Sequence, residues 1–257
     1  MVVVRLKNRK FKTVKQQQMK KLILAIMICL TAGIVSAQDV VVIDPNASVR
    51  NLDADFNKIK LSGGIDLYLS QSAEMAVAVS AVDEKNTAGI KTIVKDGVLN
   101  IYFDGDKNWK NRNRKLRAYV SFKELENIHA SGGSDIIVSG TIAVTALEIQ
   151  LSGACDFKGK VTVNRLKLNL SGASDVRISG TAGRVDIESS GASDVKGYDL
   201  VTDICNANAS GASDINITVN KEISAHASGA SDIHFKGEAV IKEMHAGGSS
   251  SVVKKGK

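Results

Sequence analysis

Short stretches of alternating apolar and polar residues recur along the second half of the chain. After Asp175 the sequence reads Val176-Arg177-Ile178, and before Ser171 it reads Leu166-Lys167-Leu168-Asn169-Leu170. Alternation with a period of two residues, in segments rich in β-branched residues and bounded by Gly and Ser, is typical of half-buried β-strands. The repeats contain no stretch of helical periodicity long enough for a helix. The sequence therefore predicts an all-β protein.

A turn motif separates these strands at nearly regular intervals. Most copies read Ser-Gly-Ala-Ser-Asp, and the steps between the last six copies are 21, 19, 19, 20 and 18 residues. The copies begin at Ser62, Ser131, Ser152, Ser171, Ser190, Ser210 and Ser228. A period near 20 residues indicates a solenoid, in which each repeat buries its apolar face by stacking on its neighbours. A β-propeller is the alternative, but a four-stranded blade needs about twice that length.

Aligning the repeats separates inward from outward positions. The residue five places after each first serine is apolar, as in Ile136 and Val176. The residue two places before it is polar in six successive copies: His129, Gln150, Asn169, Glu188, Asn208 and His226. This arrangement predicts a parallel β-helix with about 20 residues per coil. The general rule for parallel β crossovers makes it right-handed.

The segment before the regular coils also has a β pattern, but a less regular one. Alternating runs occur from Val40 to Phe122, and Asp96-Gly97 between two of them is a strong hairpin signal. We expect residues 38–125 to form an irregular β cap, because an open solenoid end would expose apolar columns and strand edges. Residues 126–257 supply the regular coils. Residues 38–257 are thus predicted to form a single domain.

The beginning of the chain resembles a secretory leader. Lys20-Lys21 precede the apolar run 22–30, and Val35-Ser36-Ala37 provides small residues for a cleavage site. We interpret residues 1–37 as a leader with a signal peptide that is cut after Ala37. A membrane anchor is the alternative interpretation. Residues 1–18 precede a second candidate start, Met19, and translation from there would omit them.

The basic charge of the chain belongs to this leader. Eight of the 34 basic residues and none of the 27 acidic residues lie within residues 1–37. The remaining chain therefore has 26 basic and 27 acidic residues and a net charge of −1. This balance gives no support to nucleic-acid binding. Once residues 1–37 are removed, the sequence predicts no transmembrane span in the mature chain. We expect the mature protein in the periplasm, at the outer surface or outside the cell.

The aspartates of the turn motif are the most specific candidate ligands. They should lie one above another at the coil spacing: Asp135, Asp156, Asp175, Asp194, Asp214 and Asp232. Stacked carboxylates repel each other, and Ca²⁺ bound between coils would offset that repulsion. The alternative is that each aspartate accepts backbone N–H bonds at its own corner. Beyond this Ca²⁺ hypothesis, the sequence predicts no cofactor.

One basic loop interrupts the first half of the chain. Residues 107–115 hold five basic residues and the one tryptophan of the chain. Trp109, Arg112 and Arg114 are candidate contacts for a phosphate or a glycan. The alternative is a solvated hairpin tip.

The sequence predicts no catalytic residues. The outward positions after the aspartates form a mixed stripe, which includes Lys158, Arg177 and His234 but no converging pair of acids. We therefore expect a binding protein rather than an enzyme. The small residues of the corners predict a flat ridge that could contact a partner protein or glycan, or a second copy of the chain.

The order of these features resembles a known family. Phe56-Asn57-Lys58-Ile59, the first turn motif, Asp96-Gly97-Val98-Leu99, the Trp109 loop, Leu125-Glu126-Asn127-Ile128 and the Ser-Gly-Ala-Ser-Asp array follow one another as in the putative auto-transporter adhesin, head GIN domain family. The resemblance covers residues 40–250. It implies a right-handed β-helix related to pectin lyase-like proteins and an exported protein of Bacteroidetes-type bacteria. The implied role is adhesion to a protein or glycan at the cell surface. A Ca²⁺-stabilised structural protein of the envelope and a polysaccharide-active enzyme are the alternatives.

Overall fold

The computed structural model describes residue 44, residues 46–105 and residues 114–256. The chain divides into two compact units, residues 1–45 and residues 46–257, and the following description concerns the second. The leader, Val40, Trp109 and Arg112 lie outside the described residues. In the part of the chain that is described, no helix has both the length and the apolar content that a membrane span requires.

The described chain is almost entirely β-structure. It forms a solenoid of about seven turns with about 19 residues per turn, which confirms the fold predicted from the repeats. Its elements are β1 (Ser48–Arg50), β2 (Lys58–Leu61), β3 (Asp66–Gln71), β4 (Ala76–Ser80), α1 (Glu84–Gly89), β5 (Ile90–Lys95), β6 (Val98–Phe103), β7 (Arg117–Phe122), β8 (Asn127–Gly132), β9 (Asp135–Gly153), β10 (Asp156–Leu170), β11 (Asp175–Ser189), β12 (Asp194–Ala209), β13 (Asp214–Ala227), β14 (Asp232–Lys236), β15 (Val240–Ala246) and β16 (Ser251–Lys254).

The regular coils stack in parallel and in the register that the sequence alignment predicts. Asp156 pairs with Asp135 on one side and with Asp175 on the other. The strands β9 to β13 are 14 to 19 residues long, because the inter-coil hydrogen bonds continue around the gentler bends and pause at the Ser-Gly-Ala-Ser turn. The alternation predicts short strands, and the structure joins most of those within a coil into one long strand.

The first turn motif occupies an unexpected position along the solenoid. The strand β2 lies between β6 and β8, and β3 lies between β7 and β9. The coil that contains Ser62 is therefore inserted between a coil that follows it in sequence and the first regular coil. The N–H of Ile65 donates a hydrogen bond of 3.2 Å to the hydroxyl of Ser134, 69 positions later.

The remaining N-terminal elements cover one end of the solenoid. The strand β4 adds antiparallel to β7, β1 adds antiparallel to β4, and β5 folds back on β6 at the predicted Asp96-Gly97 hairpin. The helix α1 is capped by Asp83, whose side chain accepts a hydrogen bond of 2.7 Å from the N–H of Asn86. The guanidinium of Arg50 donates to the Thr87 carbonyl at 2.8 Å and ties β1 to α1. Residues beneath this cover, such as Ile90, are buried.

The interior consists of the predicted apolar columns. Ile136, Phe157, Val176, Val195, Ile215 and Ile233 are each no more than 1% exposed. Cys155 and Cys205 are also buried and form no disulfide. Burial raises the pKa of the Cys205 thiol to about 12. Both cysteines therefore pack as small apolar residues.

Candidate binding groove

Each coil turns sharply at a corner built from the Ser-Gly-Ala-Ser-Asp motif. In the corner that begins at Ser210, Gly211 has a left-handed backbone with a φ of +78°, which glycine adopts without steric cost. The N–H of Ala212 donates a hydrogen bond of 2.8 Å to the Gly191 carbonyl of the adjacent coil. A Cβ atom on Gly211 would lie 2.5 Å from that same oxygen. The corners therefore stack closely because glycine follows the first serine.

The second serine of the motif points into the solenoid. The hydroxyl of Ser193 accepts a hydrogen bond of 3.2 Å from the N–H of Ser174 and donates one of 3.4 Å to the Gly172 carbonyl. The residues of this column have no exposed surface: Ser134, Cys155, Ser174, Ser193, Ser213 and Ser231. The ridge predicted from the motif consequently consists of its Gly and Ala residues, with the first serine at its edge. The second serine is excluded from the ridge because it satisfies buried backbone groups of neighbouring coils.

The aspartates of the motif stack as predicted, and lysine or backbone groups lie beside several of them. The Lys196 ammonium is 3.0 Å from a carboxylate oxygen of Asp175 and 3.6 Å from one of Asp194. Asp232 accepts hydrogen bonds of 3.0 Å and 2.7 Å from the N–H and the hydroxyl of Ser251. Among the described residues, no three His, Cys, Asp or Glu side chains are grouped as metal ligands. The Ca²⁺ hypothesis stays a prediction.

The titration of these aspartates depends on their position along the column. Burial raises the pKa of Asp135, and the neighbouring carboxylate of Asp156 raises it further. Burial and the charge of Asp135 likewise raise the pKa of Asp66. At the other end, the hydrogen bond from the Ser251 hydroxyl lowers the pKa of Asp232. Burial, reinforced by the charge of the neighbouring carboxylate, therefore favours the neutral form of Asp135 and Asp66.

A concave groove of about 600 Å³ lies beside the ridge. One wall is the outward polar column of the sheet before the corner, and the other wall is the column of first serines. The polar wall contains His129, Gln150, Asn169, Glu188, Asn208 and His226. The serine wall contains Ser152, Ser171, Ser190, Ser210 and Ser228. The groove runs across six coils, which at the usual strand spacing makes it on the order of 25 Å long.

The serine wall presents hydrogen-bond acceptors to the groove. The hydroxyl of Ser190 donates to the Leu170 carbonyl at 3.1 Å, and that of Ser171 donates to the Leu151 carbonyl at 3.5 Å. A serine hydroxyl has one proton and two lone pairs. Because the proton of each of these hydroxyls is directed into the coil stack, its oxygen can only accept a hydrogen bond from a ligand in the groove. The hydroxyl of Ser152 donates to the Ala130 carbonyl at 3.4 Å in the same way, so three successive corners present an acceptor to the groove.

The polar wall combines donors and acceptors that are held by neighbouring side chains. The Asn169 amide donates a hydrogen bond of 3.0 Å to Glu148, and its buried Oδ1 atom has no hydrogen-bond partner. Burial raises the pKa of Glu148, but hydrogen bonds from Gln150 and Asn127 and the charge of Lys167 outweigh that effect and lower it. The carboxylate of Glu148 therefore stays charged at neutral pH and fixes the amide beside it.

Imidazole rings occupy both ends of the polar wall. The Nδ1 atom of His129 is 3.0 Å from the side-chain oxygen of Gln150. At the other end the rings of His226 and His245 stack with centres 5.1 Å apart, and His226 lies 3.3 Å from Glu243. Flat rings at the ends of a polar groove offer stacking surfaces that the middle of the groove lacks.

The residues singled out from the sequence fall partly on this groove and partly elsewhere. The polar column is where the alignment predicted it, but its pairing with the first serines across a concave surface was not predicted. Arg114 lies at the covered N-terminal end, with its guanidinium 5.0 Å from the centre of the Phe103 ring. A role of the Trp109 loop in ligand binding stays a prediction. The signal for the groove was the absence of lysine and arginine from six successive outward positions.

Comparisons with known proteins agree with the fold. The model of a family described as "Putative auto-transporter adhesin, head GIN domain" matches residues 55–239. No match was found among curated proteins.

Several solved structures share the solenoid. A putative adhesin from Bacteroides fragilis NCTC 9343 superposes with a TM-score of 0.74 at 23% identity, and the match covers 82% of this chain and 98% of that one. A putative lipid binding protein from Parabacteroides distasonis ATCC 8503 has a TM-score of 0.59 at 22% identity, with coverages of 82% and 98%. A putative adhesin from Parabacteroides merdae ATCC 43184 has a TM-score of 0.58 at 20% identity, with coverages of 82% and 97%. At these identities the likeness shows the fold alone.

Proposed function

Because the chain belongs to the family of putative auto-transporter adhesins with a head GIN domain, we propose that it is an exported, adhesin-like protein whose groove binds an extended glycan at a cell surface. The observation that supports this proposal is the groove itself, which presents one outward polar side chain per coil along six coils and a serine in five of them. A ligand that lies along it would meet a similar set of groups at each step. A polysaccharide has the matching property, because its hydroxyls repeat along the chain.

The chemistry of the two walls favours a neutral glycan. Serine oxygens accept hydrogen bonds on one side, and amide side chains both donate and accept on the other. Glu188 is the one carboxylate on the polar wall. Each hydrogen bond contributes only about 0.5–1.5 kcal/mol, so a useful affinity needs many of them or several copies acting together.

The same arrangement supports binding rather than glycan cleavage. Hydrolysis of a glycosidic bond ordinarily requires two carboxyl groups that face each other across the sugar. Glu188 has amide neighbours in its column, Asn169 and Asn208. The nearest histidine of the column, His226, is two coils away, which is about 10 Å at the usual spacing. We therefore propose a non-enzymatic role.

A glycan array tests this proposal with the predicted mature chain, residues 38–257, displayed at high density. We expect binding to one or more cell-surface polysaccharides. The Asn208→Trp variant, which fills the groove from an exposed position, should lose that binding. The matched control is Asn164→Trp, an exposed asparagine outside the groove, and it should bind as the unmodified protein does. Equal binding by both variants, or no binding to any glycan, would refute the proposal.

A further inference from the structure

The two ends of the solenoid differ in how much apolar surface they expose. At the N-terminal end, β1, β4 and α1 cover the interior, and Val79 and Ile90 are no more than 1% exposed. At the C-terminal end every residue of β15 is exposed. Val240 is 62%, Ile241 42% and Met244 47% exposed. Large apolar side chains exposed together in this way commonly mark an interaction surface.

These exposed side chains occupy columns that are buried elsewhere in the molecule. Ile241 lies opposite Ile223, and Met244 lies opposite Ala225. Both partners are 1% exposed, because the next coil covers them. Among the described residues, the coil of β15 therefore presents a face against which a neighbouring coil could pack.

The backbone at this end is also open to pairing. Within the described residues, β15 pairs with β13 alone and β16 with β14 alone. The outer edges of both strands consequently carry N–H and C=O groups that no neighbouring strand uses. An exposed strand edge is a template on which another strand can add.

The opposite end of a second copy does not fit this surface. There the apolar columns lie under α1, and the Arg50 and Arg114 side chains pack across that end on Thr87 and Phe103. A contact between two C-terminal ends brings two uncovered faces together, and a two-fold contact closes after two copies instead of extending into a fibre. We propose that two copies of the chain associate through their C-terminal ends, with β15 of one copy antiparallel to β15 of the other.

The sequence of β15 is complementary to itself in this arrangement. Lys242 and Glu243 stand at its centre, so antiparallel pairing about that point places each lysine opposite the glutamate of the other copy. A one-residue shift in register at Lys242 lets both Ile241 and Met244 continue inward columns. The antiparallel pairing of the two β15 strands therefore sets Ile241 of one copy against Met244 of the other. An unrelated strand would leave the two charges without matching partners.

Ion pairs within each copy hold these central charges in place. Lys242 lies 3.2 Å from Glu222, and Glu243 lies 3.3 Å from His226. Dimerisation would extend these pairs into a network across the contact. The contact lies at the end of the rod, so it leaves the groove open in both copies and joins the two grooves into one assembly. Doubling the number of grooves strengthens attachment to a repeating ligand without any new contact to it.

The mass of residues 38–257 in solution tests this inference. Sedimentation equilibrium at protein concentrations up to the millimolar range should give the mass of a dimer. The Ile241→Lys variant should give the mass of a monomer. The matched control is Ile93→Lys, which changes an isoleucine that is 51% exposed at the N-terminal end, and it should remain a dimer. Circular dichroism confirms that each variant is folded.

Disulfide trapping provides a second measurement, which detects the contact by the proximity of two thiols. In a Glu243→Cys variant the two introduced thiols lie near the two-fold axis and should form a cross-linked dimer on mild oxidation. The natural Cys155 and Cys205 are buried and do not compete. A monomer at every concentration, or equal loss of the dimer in Ile241→Lys and Ile93→Lys, would overturn the inference. Glycan binding by such a monomer would leave the proposed function intact.

Discussion

The close stacking of glycines at the corners makes a quantitative prediction. Gly211 and Gly140 both have a φ of +78°, so alanine carries the same backbone penalty at either position. They differ in their surroundings. A Cβ atom on Gly211 would lie 2.5 Å from the Gly191 carbonyl oxygen, whereas one on Gly140 would meet nothing within 4 Å. Comparing Gly211→Ala with Gly140→Ala therefore separates the cost of crowding between coils from the cost of the backbone conformation.

The two costs can be estimated separately. A left-handed backbone disfavours a residue with a Cβ atom by about 1–2 kcal/mol, and this cost applies to both variants. Forcing an extra carbon into a closely packed site typically costs a further amount of about 1–3 kcal/mol. This cost applies to Gly211→Ala alone. We therefore expect Gly140→Ala to lose about 1–2 kcal/mol and Gly211→Ala about 2–5 kcal/mol. Against a typical total of about 5–15 kcal/mol, the second loss is large.

Guanidinium unfolding of residues 38–257, followed by circular dichroism, measures both free energies of unfolding. The slope of free energy against denaturant must stay the same across the variants, because a change in slope indicates that some coils unfold separately. Equal losses for the two variants would show that the coils separate easily at the corner, and they would refute the stacking argument. Ala212→Ser, an exposed substitution in the same corner, should change little.

Three further predictions concern the titratable groups. The folded pKa of Asp135 is raised above its ordinary 3.8, so its contribution favours folding below that pH and is lost as the pH rises through the folded pKa. Asp135→Asn should therefore raise Tm at neutral pH but not in acid, whereas Asp232→Asn should lower Tm at neutral pH. The pKa of Asp232 is lowered, and the stability that its carboxylate contributes is lost as the pH falls through the folded pKa. Melting curves at several pH values check both signs. The Ca²⁺ hypothesis predicts a higher Tm for residues 38–257 in excess Ca²⁺ than in chelator, and coincident curves would contradict it. Cys155 and Cys205 should react with a thiol reagent only after unfolding, and rapid labelling of the native protein would show that the coils open locally.

The repeats allowed the solenoid to be predicted because register is encoded once per coil. The spacing of the first serines placed Asp156 beside Asp135 and Asp175, and the structure pairs these residues as predicted. Apolar columns such as Ile136 and Val176 were identified in the same way. A repeated pattern of this kind identifies the neighbour of each residue without any long-range information.

The position of the first coil could not be predicted in that way. The strand β2 pairs with both β6 and β8, so the coil of Ser62 is inserted next to the coil of Ser131 rather than following chain order. Sequence periodicity indicates which residues can share a column but not the order in which separate coils stack. The antiparallel strands around α1 connect these coils outside the stack and carry no repeat that would reveal the exchange.

The burial of the second serine and the concavity of the groove depend on the turn geometry. Both serines of the motif are small and polar, so the sequence gives no reason to separate them. The structure assigns Ser193 to the interior, where it bonds backbone groups of adjacent coils, and Ser190 to the groove. That difference arises because the left-handed glycine after the first serine reverses the chain before the second.

The same turn motif therefore builds both the corner and the serine wall of the groove. The glycine permits close stacking, and the first serines Ser152, Ser171 and Ser190 direct their protons to the coil before them. The first serines repeat at the coil spacing of about 4.8 Å along the groove, and these three present their oxygens as acceptors. Adding or removing one coil would change the length of the groove without changing the groups that each coil presents. A ligand recognised by such a surface should thus bind more tightly as the number of its repeating units increases, until it spans all six coils.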